Sequence, residues 1–451
     1  MRAEIMLFYF ISFTSSTAVP SAVTDLYAPF PRVTAVEAIA QLGVAAASQL
    51  EGGEPEDIRD VYGGNSEWLA GFEAEIASAL GKQKAMFFLT GVAAQNAALA
   101  VHAELPIRGR GAPPPCLMMH DTSHLVRYED KAYKELLGIN SLIVGHKDRV
   151  LTAKDLQKDL ERLANVGQGP CMILVELPQR ELGCVAPPWS ELVEMSRLAK
   201  QYGTRLHLDG ARLWEIAPFY EASAGKSLAE VVALFDSAYV SFYKGLGALT
   251  GAMLLGEESF IEAAKPWRRR LGANPYTSMP YALSCRDAYR RHRGTFDERW
   301  RKLQRLVPLL SDVAAREGGT LRTVPADPQC CQVHCCIGAA SADGDSLREA
   351  LDAARDAVEA ERGVRVYGRL LGPAPAETAP AETARAETVS GGEGSMVSAD
   401  TAPPAGGEAA GGQYIFEWGL GPAHVAMEDD EFVDIWAAFF QALRKQLESQ
   451  A

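Results

Sequence analysis

Between residues 84 and 242, short apolar runs of five or six residues alternate with longer segments that have apolar residues at helical spacing. Strands that are apolar on both faces are typical of a parallel sheet covered by helices on each side. Ligands of such sheets bind at the carboxyl ends of the strands. We therefore predict an α/β fold with a functional site at that edge. The predicted strands are KAMFFL (84–89), CLMMH (116–120), SLIVG (141–145), CMILVE (171–176), RLHLD (205–209) and AYVSF (238–242).

The charge and the apolar runs exclude two classes of partner. The 451 residues include 58 acidic and 44 basic side chains, a formal net charge of −14, whereas nucleic-acid binding requires clustered lysine and arginine. No stretch reaches the ~18 apolar residues of a membrane helix. Residues 1–22, with Arg2 and the apolar run IMLFYFI (5–11), are interpreted either as a secretory signal or as the start of the fold. We expect a cytoplasmic protein with no nucleic-acid or membrane partner.

Four of the eight cysteines crowd around His334 in the segment QCCQVHCC (329–336). Two interpretations are open, a metal site and a buried cysteine-rich strand. Adjacent residues of a strand point to opposite faces, and the spacing matches no common zinc pattern. We therefore expect a buried strand and no metal.

Residues 372–412 differ in composition from the rest of the chain, because they contain an imperfect PAET repeat and almost no large apolar side chain. Such a segment cannot bury enough surface to offset the entropy of ordering it. We predict a disordered insertion there. The predicted organisation is an N-terminal segment (1–27), which is a signal or the first strand of the small domain, a large domain (28–285) and a small C-terminal domain (286–451).

Three polar features stand at predicted strand ends: Asp209, Lys244 and the turn TGVAAQN (90–96). A helix that opens directly after a strand offers backbone N–H groups to phosphate. A buried acid needs a cationic partner, either Arg212 or a protonated heterocycle. A lysine in apolar surroundings has a lowered pKa and is a better nucleophile. Together these features meet the needs of pyridoxal phosphate, namely a lysine, an acid for the ring nitrogen and an anion cradle.

Two segments carry a specific family resemblance. HLDGARLW (207–214) followed by SFYKGLGALTGAMLLG (241–256) resembles the low-specificity threonine aldolases, within the β-eliminating lyase group. The resemblance runs from about Val61 to about Leu271. It implies the aspartate-aminotransferase-like fold type I, with a mainly parallel seven-stranded sheet and a smaller α+β C-terminal domain. It also implies a homodimer or homotetramer whose small-molecule substrate is an amino acid.

The same resemblance implies the residues that hold the cofactor. Lys244 matches the lysine that binds pyridoxal phosphate covalently, and Asp209 matches the acid that keeps the ring nitrogen protonated. Gly91 and Val92 stand where the family offers backbone amides to the phosphate. Ser241, which opens the lysine segment, is assigned to the same cofactor site.

Further roles follow for the substrate side of the site. His124, in HDTSHLVRYE (120–129), matches a histidine that stacks on the pyridine ring, and it is the third predicted catalytic residue beside the lysine and the acid. Arg212 matches an arginine that binds the substrate carboxylate. Tyr62, in VYGGN (61–65), belongs to a segment that lies at the site in the family and often reaches it from the neighbouring subunit.

Three departures from the family pattern affect the predicted chemistry. Gln179, a predicted substrate contact, replaces a histidine near the substrate hydroxyl, and glutamine cannot transfer a proton at neutral pH. Tyr276 replaces a phosphate-binding arginine, and residues 416–425 offer no second arginine for the carboxylate. The main hypothesis is aldol cleavage of threonine-like amino acids to glycine and an aldehyde. The alternatives are β-elimination or another pyridoxal phosphate reaction, and a non-catalytic protein of the same fold.

Overall fold

The structure is a computed structural model that describes residues 24–50, 61–62, 66–104, 115–339, 342, 344–374 and 412–450. Its strands are β1 (Thr24–Asp25), β2 (Lys84–Phe88), β3 (Cys116–His120), β4 (Asn140–Val144), β5 (Met172–Glu176), β6 (Arg205–Gly210), β7 (Ser237–Ser241), β8 (Ala252–Gly256), β9 (Gly319–Val324), β10 (Gln332–Ala339), β11 (Val364–Arg365), β12 (Gly372–Pro373) and β13 (Gln413–Gly419).

Helices separate most of these strands, and a short 3₁₀ turn spans Arg180–Leu182. The helices are α1 (Ala35–Leu50), α2 (Glu67–Ala79), α3 (Gly91–His102), α4 (His124–Arg127), α5 (Ala132–Glu135), α6 (Ala153–Ala164), α7 (Trp189–Gln201), α8 (Leu213–Ala224), α9 (Leu228–Ala233), α10 (Glu258–Arg270), α11 (Met279–His292), α12 (Phe296–Arg316), α13 (Gly344–Arg362), α14 (Pro422–Ala426) and α15 (Asp429–Gln450).

A seven-stranded sheet in the order β2-β8-β7-β6-β5-β3-β4 forms the centre of the large domain. Strands β3 to β7 pair in parallel, and β8 runs antiparallel to its neighbours β7 and β2. Because β8 alone is reversed, the carboxyl ends of the other six strands meet at one edge. The predicted fold class, with a mainly parallel sheet of seven strands, is confirmed.

The apolar strands are buried on both faces of this sheet. On β5, Ile173 and Val175 pack into one core, whereas Met172 and Leu174 pack into another. Successive side chains of a strand point to opposite faces, so a strand between two helical layers must be apolar at every position. This is the physical reason for the continuous apolar runs in the sequence.

The small domain is a four-stranded antiparallel sheet in the order β12-β13-β10-β9, with α13 and α15 packed against each other. The second half of the cysteine-rich segment, with Cys335 and Cys336, lies in β10, which is buried along its whole length, as predicted. Cys330 and Cys331 precede this strand and are also buried. The start of the described chain belongs here too, because Thr24 and Asp25 pair in parallel with Val364 and Arg365. Residues 1–23, and with them the predicted signal, lie outside the described residues. Within the described ranges, no helix is both long and apolar enough to span a membrane.

The boundary between the two domains lies later than predicted. The prediction, between residues 285 and 286, falls inside α11, whose residues Cys285, Ala288 and Tyr289 pack in a core of the large domain. The small-domain core includes Leu303 and Leu306 of the next helix. The change of core therefore occurs along α12, because the buried face of α11 belongs to the large sheet.

The predicted insertion begins and ends inside the small sheet. Gly372 and Pro373 pair with Ile415 and Tyr414, and the amide of Ala374 donates to the carbonyl of Gln413 at 2.9 Å. Residues 375–411 lie outside the described residues. The two ends of this segment are therefore neighbours on adjacent antiparallel strands.

Because these ends are hydrogen-bonded to each other, we predict that residues 375–411 can be replaced by a hairpin loop of about four residues. A shorter loop has a smaller entropic cost of closure. The free energy of unfolding should therefore stay the same or rise by at most about 2 kcal/mol. Calorimetry of the shortened chain checks this, with a variant whose residues 375–411 are scrambled as the control. A clear loss of stability in both variants would show that the native segment packs against the fold.

Candidate active site

Two acids, one buried and one partly buried, lie side by side at the carboxyl edge of the large sheet. Glu176 ends β5, Asp209 is the penultimate residue of β6, and the two are in register across the parallel pair. On the other side of Asp209, β7 places Tyr239 in register and ends three residues before Lys244. The sheet thus brings the predicted acid and the predicted lysine to adjacent strand ends.

The carboxylate of Asp209 is buried, with only 1% of the residue exposed. Its Oδ2 accepts a hydrogen bond from Gln95 Nε2 at 2.6 Å, and its Oδ1 accepts one from the Ala211 amide at 3.1 Å. Burial raises the pKa of Asp209, and the charge of Lys244 opposes that rise. Two donors and the nearby charge of Lys244 therefore support the ionised form against desolvation.

Lys244 follows β7 in a loop whose next residue, Gly245, contacts Glu215 and Arg299. Burial and the Arg212 charge lower the pKa of Lys244, while the nearby carboxylates oppose the shift. A Cβ at Gly245 would lie 2.5 Å from Glu215 Cγ, so only glycine lets this acid pack against the lysine loop. On the other side, Arg299 NH1 donates to the Gly245 carbonyl at 2.8 Å. These contacts fix the backbone that carries the lysine.

The predicted phosphate site is the first turn of α3. Thr90 caps the helix by accepting a hydrogen bond from the Ala93 amide at 3.3 Å. Gly91 is buried, and a Cβ there would collide with the Tyr239 hydroxyl, whereas Val92 is exposed. The first amides of a helix have no partner within it and carry the positive end of the helix dipole. Gly91 and Val92 can therefore offer their N–H groups to an anion.

His124 begins the short helix α4. Its Nδ1 lies 3.0 Å from Oε1 of the buried Glu129, and its ring packs against Tyr128 at 5.2 Å. A carboxylate can only accept, so Nδ1 carries a proton, and Nε2 is the acceptor when the ring is neutral. The histidine is therefore oriented as a base.

Arg212 follows Asp209 by three residues and is largely buried at the start of α8. Its NH1 lies 3.1 Å from Glu215 Oε1, and its Nε has no hydrogen-bond partner among the described residues. Although burial opposes the charge, Glu215 raises the pKa of Arg212. Arg212 is thus a cation held in place by Glu215, and its Nε–H is available to donate to a carboxylate.

Three other predicted site residues have protein partners in the structure. The Gln179 side chain is buried, accepts from the Leu151 amide at 3.0 Å and donates to Thr122 Oγ1 at 3.3 Å. Ser241 donates its hydroxyl to the Ala211 carbonyl at 2.5 Å. Tyr62 is exposed, and its ring packs edge-on against Tyr276 at 5.5 Å. Their predicted contacts with substrate or cofactor stay predictions.

Sequence reasoning missed a polar cluster that joins the two domains. Arg180 Nε lies 2.6 Å from Glu417 Oε1 on β13, and its NH1 lies 2.5 Å from Glu181 Oε1. His334 Nε2 lies 3.9 Å from the same Glu417 oxygen. Although burial opposes it, the charges of Arg180 and Arg212 lower the pKa of Glu417. The only sequence signal was Glu417 itself, in the segment where an arginine was expected.

Orphaned polar atoms at this edge indicate a ligand. Among the described residues, Ser123 Oγ, Glu176 Oε2 and Arg212 Nε are buried without a hydrogen-bond partner. Buried polar atoms are nearly always paired, so such a group points to a missing molecule or water. A ligand with an anionic group, a protonated heterocycle and a carboxylate would suit these residues. Pyridoxal phosphate bound to an amino acid has that combination.

The mainly parallel seven-stranded sheet, with a lysine and an acid at neighbouring strand ends, is that of the fold type I enzymes. The chain belongs to the β-eliminating lyase family, whose sequence profile matches residues 46–365. A solved structure from Listeria monocytogenes, of a protein assigned as an L-allo-threonine aldolase, is similar with a TM-score of 0.70 and 29% identity. That similarity covers 94% of this chain and 96% of the other.

Two curated relatives are similar over part of the chain. The aldolase vrtJ of Penicillium aethiopicum is 32% identical over 204 residues, which are 45% of this chain and 49% of that protein. The alanine racemase TOXG of Cochliobolus carbonum is 31% identical over 221 residues, which are 49% and 53% of the two proteins. The chain therefore spans about half the length of the curated relatives it matches.

Glu176 gives the site a testable pH dependence. Burial and the neighbouring Asp209 raise its pKa from 4.5 to about 8. Between these values the folded protein holds a proton that the unfolded chain releases, so the free energy of unfolding should fall as pH rises from about 5 to about 8. Glu176→Gln keeps the size of the side chain and is neutral at every pH. The variant should therefore lack this part of the fall in the free energy of unfolding.

Urea unfolding of the cofactor-free protein at several pH values measures the effect. Glu194→Gln, an exposed glutamate on α7 whose pKa is lowered by Arg197, is the matched control and should keep the wild-type slope. An unchanged slope in Glu176→Gln would mean that Glu176 is ionised in the folded protein.

Proposed function

We propose that the chain is a pyridoxal phosphate-dependent lyase that cleaves β-hydroxy amino acids, such as threonine, to glycine and an aldehyde. The observation that carries this proposal is the placement of buried Asp209 and half-buried Lys244 at adjacent strand ends, where each shifts the pKa of the other. The family match and the relatives named as aldolases support it.

The cofactor would lie between α3 and the ends of β6 and β7. Gly91 and Val92 would bind its phosphate, and Asp209 would face its ring nitrogen. When bound, pyridoxal phosphate supplies an electron sink for the bond that breaks at the substrate α-carbon. A carboxylate at the ring nitrogen favours the protonated and therefore more electron-withdrawing ring.

Lys244 and Arg212 would bind the cofactor and the amino acid. Because the pKa of Lys244 is lowered, a larger share of its amine is neutral and nucleophilic at neutral pH. The Lys244 amine would hold the cofactor covalently. Arg212 binds the substrate carboxylate through a charge-assisted hydrogen bond, which fixes the amino acid in the site.

His124 would move the proton that aldol cleavage requires. Its Nε2, left as an acceptor by the Nδ1 contact with Glu129, takes the proton of the substrate β-hydroxyl as the Cα–Cβ bond breaks. Gln179 replaces the histidine expected near this hydroxyl, and its amide is bound within the protein. His124 is therefore the better placed base.

A second candidate is proton exchange at the α-carbon, that is, racemisation of an amino acid. The specific observation in its favour is Gln179, since one base fewer near the hydroxyl weakens the case for aldol cleavage. The relative TOXG is named as an alanine racemase. The two reactions share the cofactor residues and differ only in the bond that breaks.

We predict that the purified protein carries pyridoxal phosphate on Lys244 and converts L-threonine or L-allo-threonine to equal amounts of glycine and acetaldehyde. Borohydride reduction should fix the cofactor to the peptide that contains Lys244. Lys244→Ala should lower turnover by at least about 100-fold, since it removes the nucleophile. The matched control is Lys226→Ala, which removes a surface lysine paired with Glu230.

The products decide between the candidate functions. Formation of a D-amino acid without aldehyde would replace the aldolase proposal with racemisation. A purified protein that binds no cofactor, or that carries it on another lysine, would contradict both.

A further inference from the structure

A line of polar side chains leads from Asp209 through the large domain. Gln95 Nε2 donates to Asp209 Oδ2 at 2.6 Å, and Gln95 Oε1 lies 2.8 Å from His207 Nε2. His207 Nδ1 lies 2.7 Å from Ser237 Oγ, and the same oxygen lies 2.6 Å from His102 Nε2. Gln95, His207 and Ser237 are almost completely buried. Five side chains are thus joined by four hydrogen bonds.

The secondary structure explains why these side chains meet. His207 and Asp209 are two residues apart on β6, so they point to the same face of the sheet. Gln95 and His102 are seven residues apart on α3, which is two helical turns and therefore also one face. Ser237 is in register with His207 on the neighbouring strand β7. One face of a helix lies over one face of two paired strands.

An ionised Asp209 fixes every proton in this line. A carboxylate can only accept, so the amide nitrogen of Gln95 must face it and the amide oxygen must face His207. His207 then carries its proton on Nε2 and accepts from the Ser237 hydroxyl through Nδ1. The Ser237 oxygen accepts in turn from His102 Nε2.

Both histidines are neutral, as this arrangement requires. Burial lowers the pKa of His102 to about 4 and that of His207 well below its usual value. The His102 ring is also stacked on Phe260, with the centroids 4.8 Å apart. These hydrogen-bonded side chains therefore stabilise Asp209 as neutral polar groups and add no further charge near it.

We propose that Gln95 and His207, supported by Ser237 and His102, are positioning residues that keep Asp209 ionised and so set the protonation of the cofactor ring nitrogen. The inference rests on the proposed function, because it requires that pyridoxal phosphate binds at Asp209. Without the Gln95 donor, a buried carboxylate loses a charge-assisted hydrogen bond and gains proton affinity. The proton shared with the ring would then move to Asp209.

The ¹⁵N chemical shift of pyridoxal phosphate labelled at the ring nitrogen reports this proton directly. The wild-type holoenzyme should give a protonated ring nitrogen, and Gln95→Met should move the signal towards the unprotonated value. His207→Gln keeps a donor and should retain more of the wild-type shift than His207→Leu. The control is Thr204→Val, which removes another buried hydrogen bond of the large domain, from Thr204 Oγ1 to the Pro170 carbonyl at 2.8 Å. It should behave as wild type.

A second measurement separates this role from general support of the fold. The affinity of the cofactor-free protein is compared for pyridoxal phosphate and for its 1-deaza analogue, which has no ring nitrogen. Gln95→Met should weaken the binding of pyridoxal phosphate by about 10-fold or more and leave the binding of the analogue almost unchanged.

Equal losses for both compounds, or a wild-type ¹⁵N shift in Gln95→Met, would overturn the inference and leave the proposed function intact. A wild-type protein that binds neither compound would overturn both.

Discussion

The burial of one carboxylate governs the arrangement of the candidate site. Removing an ion from water costs on the order of several kcal/mol in a protein, and a hydrogen bond to a charged group returns about 1.5–3 kcal/mol. Asp209 has two such bonds in the structure, from Gln95 and the Ala211 amide. They offset the desolvation cost only in part, so a further positive charge is needed. Lys244 supplies some of it, and a protonated heterocycle would supply the rest.

The charge states of the residues around Asp209 are consistent with a buried, ionised carboxylate at this position. Glu176 stands in register beside it, and two ionised carboxylates at adjacent strand ends repel each other. The pKa of Glu176 is accordingly raised to about 8, so that one of the two acids stays neutral at physiological pH. Arg212 is held by Glu215, and the Glu215 side chain packs where Gly245 has no Cβ. The charges of the site are therefore set by contacts among residues of the sheet edge.

The central sheet and the lysine–acid pair could be predicted because their signals are local. Each strand is a largely apolar run, Asp209 ends one of them, and Lys244 lies two residues after another. Gln95 could not be assigned, since its partner Asp209 is 114 positions away and only the packing of α3 on the sheet brings them together. The same holds for Glu417, which reaches Arg180 from the small domain. The predicted domain boundary falls inside α11, because the apolar face of this helix does not show from sequence which of the two cores it packs in.

A crystal structure of the protein grown with pyridoxal phosphate tests the central claim most directly. The account predicts continuous electron density from Lys244 Nζ to the cofactor, with the ring nitrogen within hydrogen-bond distance of Asp209 and the phosphate at the first turn of α3. Density that joins the cofactor to another lysine would contradict it. So would a ring nitrogen directed to solvent, with Asp209 paired only to protein groups.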